Sequence, residues 1–357
     1  MMIEYVKLEN FRGFDSLELS KIRPVTLISG KNNVGKSSIL EGIFLFLDHV
    51  SADSFGKLSR FRGLQPMTDA VGLWEPVFYQ MDMNKTLKME MTIDGAASIL
   101  EYEKDLSFVP ANDVNVPYDV MSQMVASARS AYTLKLRYVK GDYMEDGHFV
   151  VSPAGVLRNI NTTLEYNQVE MMPYTHYINS VIVNIDGAIT EWFGKLELSG
   201  KKQQIIDVLR ILDPKISDLS TIAVNGQVML YAKMDEQLLP IKLAGDGLNK
   251  LLFIILSIIS NPHSILLIDE IEGGFHYSMY AKLWEILAQT AHAHDCQIIA
   301  TTHSYECIVG AVDGIASAGL GTDFCYFRID RNGNKNRAYY YTDELLRTAV
   351  AADMEVR

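Results

Sequence analysis

The stretch Leu27-Ile28-Ser29-Gly30-Lys31-Asn32-Asn33-Val34-Gly35-Lys36-Ser37-Ser38 constrains this chain more tightly than any other. Its spacing is G-x-x-x-x-G-K-S, with Gly30, Gly35, Lys36 and Ser37 in the fixed places. An apolar strand, Val25 to Ile28, precedes the glycines, and a run apolar at helical spacing (Ile39, Ile43, Phe46, Leu47) follows them. That order sets a row of backbone N–H groups at a helix N-terminus, which favours anions. Glycine lets the backbone approach a phosphate with no Cβ in the way. In such a cradle Lys31, Asn32, Asn33, Val34 and Ser38 complete the loop. Lys36 reaches the outer phosphates of a nucleotide, and the Ser37 hydroxyl holds Mg²⁺.

The second half supplies chemistry to match. Ser264-Ile265-Leu266-Leu267-Ile268-Asp269-Glu270 is an apolar run that stops abruptly at two carboxylates. Near-continuous apolar runs are strands buried on both faces of a parallel sheet, and ligands sit at the carboxyl ends of such strands. Asp269 there suits the Mg²⁺ shell, and Glu270 suits orienting or deprotonating an attacking water. Ile298-Ile299-Ala300-Thr301-Thr302-His303 repeats the pattern, which makes His303 a sensor of the outer phosphate. Leu243-Ala244-Gly245-Asp246-Gly247 opens an apolar helix whose N-terminus is another phosphate site. It reads alternatively as a plain N-cap by Asp246. Within one subunit such a site duplicates the first; contributed across a dimer it closes over it.

Composition narrows the setting. The chain has 357 residues, 48% hydrophobic and 21% charged, enough for one large domain or two with a proper core. A net charge of −12 argues against a uniformly basic nucleic-acid surface. Cys296, Cys307 and Cys325 are odd in number and at no metal spacing, so a reducing cytoplasm is expected. Met1-Met2-Ile3-Glu4 has no signal-peptide character, and the longest apolar run, Leu251 to Ile259, is too short for a membrane span.

Between the two halves the pattern is strand-like. Ile3 to Phe11 alternates and turns at Arg12-Gly13-Phe14 towards a short partner, Ser16 to Leu19. Thr86 to Ile93 and Ile99 to Lys104 flank the hairpin pair Asp94-Gly95. Tyr132 to Val139 pairs with His148 to Val151 across Gly141 to Gly147, giving an antiparallel, half-exposed sheet, with Pro110 to Asp119 a loop. Gln203 to Leu212 is a helix stopped by Asp213-Pro214, and Asn225-Gly226 marks a second hairpin. Arg60 and Arg62, flanking Phe61, read as solvated; His292, His294 and Cys296 read as structural at a helix-to-strand turn.

The order GKNNVGKSS, LAGDG, ILLIDEIEGGFH, ATTHS resembles the ABC-type ATPase superfamily, in its SMC/RecF/OLD branch. There these are the Walker A loop, signature motif, Walker B with D-loop, and switch histidine. Within that branch the chain is similar to short OLD-like ATPases of bacterial anti-phage systems, such as the ATPase of PARIS. The resemblance implies an α/β P-loop NTPase, an ABC-type ATPase head with an antiparallel β subdomain and a mixed α/β insertion. Its expected parts are residues 1–95 and 236–330 of the head, an insertion over 96–235 and a tail over 331–357. It implies ATP with Mg²⁺ as cofactors, slow hydrolysis, and Ser37, Asp269 and Gln80 (the glutamine-loop candidate) at the metal. Arg12 of Phe11-Arg12-Gly13-Phe14 becomes a candidate phosphate contact.

The implied assembly is a homodimer or higher oligomer joined through its ATP sites. Its partner is a separately encoded Toprim-type nuclease or toxin, since residues 304–357 hold no acid cluster of Toprim type. DNA is a further candidate partner; a membrane is not. A RecF-like repair ATPase and an ATP-stapled scaffold with little hydrolysis are the alternatives. Ala244 and Asp246 depart from the serine and second glycine of the signature, which bears on turnover more than on binding.

Overall fold

The computed structural model describes residues 1–64, 70–106, 133–152, 155–162, 172–179, 186–224, 226–333 and 335–357. The expected loop Pro110 to Asp119, and Asn225 of the second hairpin turn, lie outside them. In chain order the first elements are β1 (Ile3–Phe11), β2 (Phe14–Ser20), β3 (Val25–Gly30), α1 (Lys36–Leu47), α2 (Ser54–Phe61) and α3 (Ala70–Trp74). Then come β4 (Leu87–Ile93), β5 (Ala96–Asp105), β6 (Thr133–Lys140), β7 (Tyr143–Ser152), β8 (Gly155–Thr162) and β9 (Thr175–Ile178). After α4 (Asp186–Leu198) and α5 (Lys202–Leu212) lie β10 (Ile216–Val224), β11 (Gln227–Met234) and β12 (Gln237–Pro240). The last part runs α6 (Asp246–Ser260), β13 (Ile265–Ile268), α7 (Tyr280–Ala293), β14 (Gln297–Thr301) and α8 (Tyr305–Ala318). It ends with β15 (Phe324–Asn332), β16 (Lys335–Thr342) and α9 (Asp343–Ala351).

Two sheets define the architecture. One is antiparallel throughout, in the order β2-β1-β4-β5-β6-β7-β8. The other, β16-β15-β3-β14-β13-β9, is parallel from β15 to β9, with β16 antiparallel at its edge. Period-2 alternation sends the side chains of its central strands into two cores. Leu266, Ile268, Ile298 and Ala300 pack with α6, α7 and α8, whereas Ile265, Leu267 and Ile299 pack with α1 and the antiparallel sheet. The near-continuous apolar runs follow from this burial on both faces. Gln297, fully buried, joins the sheets. Its Oε1 accepts from Ile3 N at 2.8 Å and its Nε2 donates to Ile3 O at 2.8 Å.

Three differences from the sequence reading concern pairing. The hairpin expected across Gly141 to Gly147 is tight instead, with Lys140 opposite Tyr143, so β7 begins five residues before His148. The acidic pair Glu145-Asp146 hides that strand, although Glu145 is buried and accepts from Tyr143 Oη at 3.0 Å. The division at residues 95/96 falls in the turn between β4 and β5, which pair along their whole length. Third, β9 from the expected insertion and β15–β16, which reach into the expected tail, are strands of the head's own parallel sheet.

His176 on β9 sits edge-on to Trp192 of α4 and Phe253 of α6. Its Nε2 takes a 3.3 Å hydrogen bond from Asn261 Nδ2, which requires the neutral ring, and burial holds its pKa down to about 4. The unfolded chain, with an ordinary His near 6.5, then binds more protons as pH falls. Its contribution is fully present above that value and lost on descent towards about 4. Melting temperatures of His176→Gln across this window should fall less steeply than those of wild type; parallel curves would refute the assignment.

Candidate functional site

The loop after β3 is shaped from behind as much as from within. Gly30 (φ 147°) passes so close to β15 that a Cβ would lie 2.3 Å from Ile329 O. Gly35 (φ 98°) would place one 2.5 Å from the Phe14 ring. Asn33 is left-handed at φ 65°, a conformation asparagine tolerates. Lys36, at the first position of α1, donates from Nζ to Gly30 O at 2.8 Å and Lys31 O at 3.1 Å. Burial lowers its pKa, while Asp269, Glu272 and Glu270 oppose that shift. Its ammonium is thus parked on the loop's own carbonyls, over the place a phosphate would occupy.

In front of the loop lies an open cleft of ≈ 360 Å³ lined by Asn32, Asn33, Gly35, Lys36, Ser37 and Ser38 on one side. Asp269 and Glu270 face them from the end of β13, with Glu41, Phe61, Arg62 and Tyr177 completing the wall. Asp269 is anchored twice: its N–H donates to Ile178 O at 2.7 Å, and its Oδ1 accepts from Thr301 Oγ1 at 2.5 Å. The same threonine oxygen accepts from Glu270 N at 2.9 Å. Glu270 is held at φ 48° with its side chain exposed, an uncommon conformation for a non-glycine residue and typical of functional positions.

Ser37 and Asp269 are hard oxygen donors on opposite walls of one cleft. Among the described residues no three His, Cys, Asp or Glu side chains gather as a metal cage. That donor set fits Mg²⁺, which takes one or two protein oxygens and completes its shell with phosphate and water. His303, past the end of β14, is exposed; its Nδ1 lies 2.9 Å from Glu272 Oε1, which also accepts from His303 N at 2.8 Å. Glu272 itself is only 7% exposed.

Residues 1–117 match a family described as "AAA ATPase domain", and residues 174–308 one described as "AAA domain, putative AbiEii toxin, Type IV TA system". An ATP/GTP phosphatase of Helicobacter pylori is 22% identical over 331 residues, covering 86% of this chain and 86% of that protein. A 46-residue stretch is 50% identical to an uncharacterised protein of Methanocaldococcus jannaschii, covering 13% of this chain and 21% of the other. Among solved structures, an SmcHead bound to the C-winged helix domain of ScpA superposes with a TM-score of 0.54 at 12% identity, covering 96% of this chain and 99% of that one. An Smc head with an extended coiled coil, bound to the C-terminal domain of ScpA derived from Pyrococcus furiosus, gives 0.52 at 11%, covering 98% and 99%. The fold is that of an SMC-type P-loop ATPase head.

Within this fold the remaining expected residues separate. Gly245 (φ 110°) is the N-cap of α6, and Asp246 is the first helical residue, not the cap. Gly245 and Asp246 are exposed, and none of Ala244 to Gly247 lines the cleft. Gly247 packs backbone to backbone against Gly274, where a Cβ would meet Gly274 O at 2.3 Å. Gln80, exposed in the turn Tyr79–Met81, has its Nε2 3.4 Å from Tyr79 Oη and is outside the cleft lining. Arg12 is also outside it: its Nε lies 3.0 Å from Glu41 Oε2 and its Nη1 donates to Pro76 O at 2.9 Å.

Arg62, expected to be solvated, is exposed and also lines the cleft. Buried Glu41 explains this, since its two oxygens take Arg62 Nε at 2.6 Å and Nη2 at 3.0 Å. Arg62 Nη2 also reaches Ser38 Oγ at 3.3 Å. The sequence held one sign of it: Glu41 is an acid inside an otherwise apolar helix and needs a cation. Tyr177, stacked on Phe61 with ring centroids 4.0 Å apart, had no such sign, because β9 has only 4 residues.

Proposed function

We propose that this head binds ATP–Mg²⁺ in the cleft and hydrolyses it slowly, as one half of a head-to-tail dimer. The observation that carries the reading is a division. Cradle, acid pair and metal donors share one cleft, while Gly245 and Asp246 at the N-terminus of α6 are exposed outside it, with Gly247 buried behind them. A second copy's turn would supply the N–H groups that close over the outer phosphate.

On nucleotide entry the Lys36 ammonium exchanges its two carbonyls for phosphate oxygens. Ser37 and Asp269 would hold Mg²⁺, which when bound would offset the charge of the phosphate oxygens. Glu270 orients the attacking water and takes its proton, and His303 marks the outer phosphate.

The biological role we assign is a nucleotide-gated regulator in bacterial anti-phage defence, acting on a separate Toprim-type nuclease or toxin. It is supported by the order of motifs and by the toxin–antitoxin wording of the family matched over residues 174–308. The departures at Ala244 and Asp246 favour a second reading, in which ATP staples the dimer with little turnover; single-turnover phosphate release separates the two.

The composite site predicts complementation. Lys36→Ala disables the cradle and Gly245→Asp sets a negative charge in the turn, so neither alone should hydrolyse ATP. Mixed in equal amounts, they form heterodimers with one intact composite site, and about a quarter of wild-type activity should return. If the mixture stays inert while both variants fold, the trans arrangement is wrong.

A further inference from the structure

Lys250, in the second turn of α6, is 3% exposed, and its ammonium donates to Glu270 O at 2.6 Å. A buried ammonium is costly, and a methionine of similar length would fill the same space. Among the described residues the acceptor it reaches is the carbonyl of the residue read here as holding the attacking water. On the other side of Glu270 its N–H is fixed by Thr301 Oγ1 at 2.9 Å. Both peptide groups around Glu270 are therefore gripped, and the backbone between them is held at φ 48°. That conformation is strained for an L-residue, so it persists only while something holds it.

The neighbourhood supports a charged lysine. Burial pushes the Lys250 ammonium down to about 8, with Glu272, Glu270 and Asp269 opposing. Glu272 Oε1 serves His303 while its buried Oε2 has no partner in the described structure. Lys250 also stands on the helix whose first turn carries Gly247, packed against Gly274 of the segment that follows Glu270.

We infer that Lys250 is a positioning residue: it sets the pose of Glu270 and ties that pose to the Gly245–Gly247 turn at the head of the same helix. The inference rests on the hydrolytic reading above. Its consequence is that engagement of the turn by a second copy is felt at the acid pair of the same chain, so an occupied site adds to turnover at the other without being required for it.

The test is a split between binding and turnover in the full chain. Lys250→Met should bind ATP within twofold of wild type yet hydrolyse it about 30-fold more slowly, the order expected when a catalytic group is misplaced by a fraction of an ångström. Lys250→Arg, which keeps charge and donor, should lose less. In a Glu270→Gln background Lys250→Met should cost nothing further, because it acts only through that carboxylate. Turnover of Lys250→Met within threefold of wild type, or a full additional loss on Glu270→Gln, would overturn the inference.

Should Lys250→Met fail to fold, Lys250→Gln, which is shorter and uncharged, takes its place. Reduced turnover at unchanged affinity supports the assignment, and wild-type turnover defeats it. A wild-type protein that releases no phosphate would remove the hydrolytic reading itself, and this inference with it. That outcome is distinct from an unchanged ratio between variant and wild type.

Discussion

Glu270→Gln is expected to bind ATP as wild type does and to release phosphate at least about 100-fold more slowly, the usual share of a general base. The geometry makes this an unusually clean substitution. Glu270 is held through its backbone, by Thr301 Oγ1 at the N–H and Lys250 Nζ at the carbonyl, while its side chain is exposed. Exchanging carboxylate for amide therefore removes the proton acceptor and leaves the frame intact. With hydrolysis blocked, ATP stays between the two copies, and the dimer should outlive the wild-type dimer by a similar factor. Single-turnover phosphate release and sedimentation with ATP measure the two effects. Wild-type turnover in the variant would show that the water is activated elsewhere.

Lys36→Ala should abolish measurable ATP binding. The ammonium makes two hydrogen bonds within the loop, to Gly30 O and Lys31 O. Charge-assisted bonds are worth about 1.5–3 kcal/mol each, so transferring two of them to phosphate oxygens corresponds to roughly 10²- to 10⁴-fold in affinity. Folding should be little affected, because Lys36 is only half-buried and the Lys31 carbonyl can turn to water. Calorimetric titration with ATP and Mg²⁺, beside a melting curve, checks both. Near-wild-type affinity would mean that the cleft takes some other ligand.

What the chain revealed about itself depended on whether a residue's partners were near in sequence. The cradle was legible because strand, turn and helix are contiguous, and the acid pair because a doubly buried strand reads as an apolar run. Helix α8 was not. Its span YECIVGAVDGIASA is weakened by Gly310 and Gly314, residues of poor helical propensity. The structure explains them by close approach to α7: a Cβ on Gly310 would fall 2.4 Å from Tyr280 Cβ, and one on Gly314 2.2 Å from Ala281 O. Arg62 and Tyr177 were missed because the cleft gathers them from α2's C-terminus and a short edge strand. The burial of Lys250 and Glu272 was not legible either, because their partners Glu270 and His303 lie 20 and 31 residues away along the chain.

The place of β3 in its sheet carries a consequence for how the site comes into being. The cradle's strand is flanked by β14 and β15, and Asn336 Nδ2 on β16 donates to Val34 O within the loop at 3.0 Å. The Tyr326 hydroxyl bonds both Ser29 Oγ, just ahead of Gly30, and Val356 O. Residues 25–36 therefore wait for residues beyond 320 before their loop has its final shape. Such distant pairings close slowly. A nascent or truncated chain would carry the complete phosphate-binding sequence without the strands that shape its loop, so nucleotide binding is expected to wait for the whole fold.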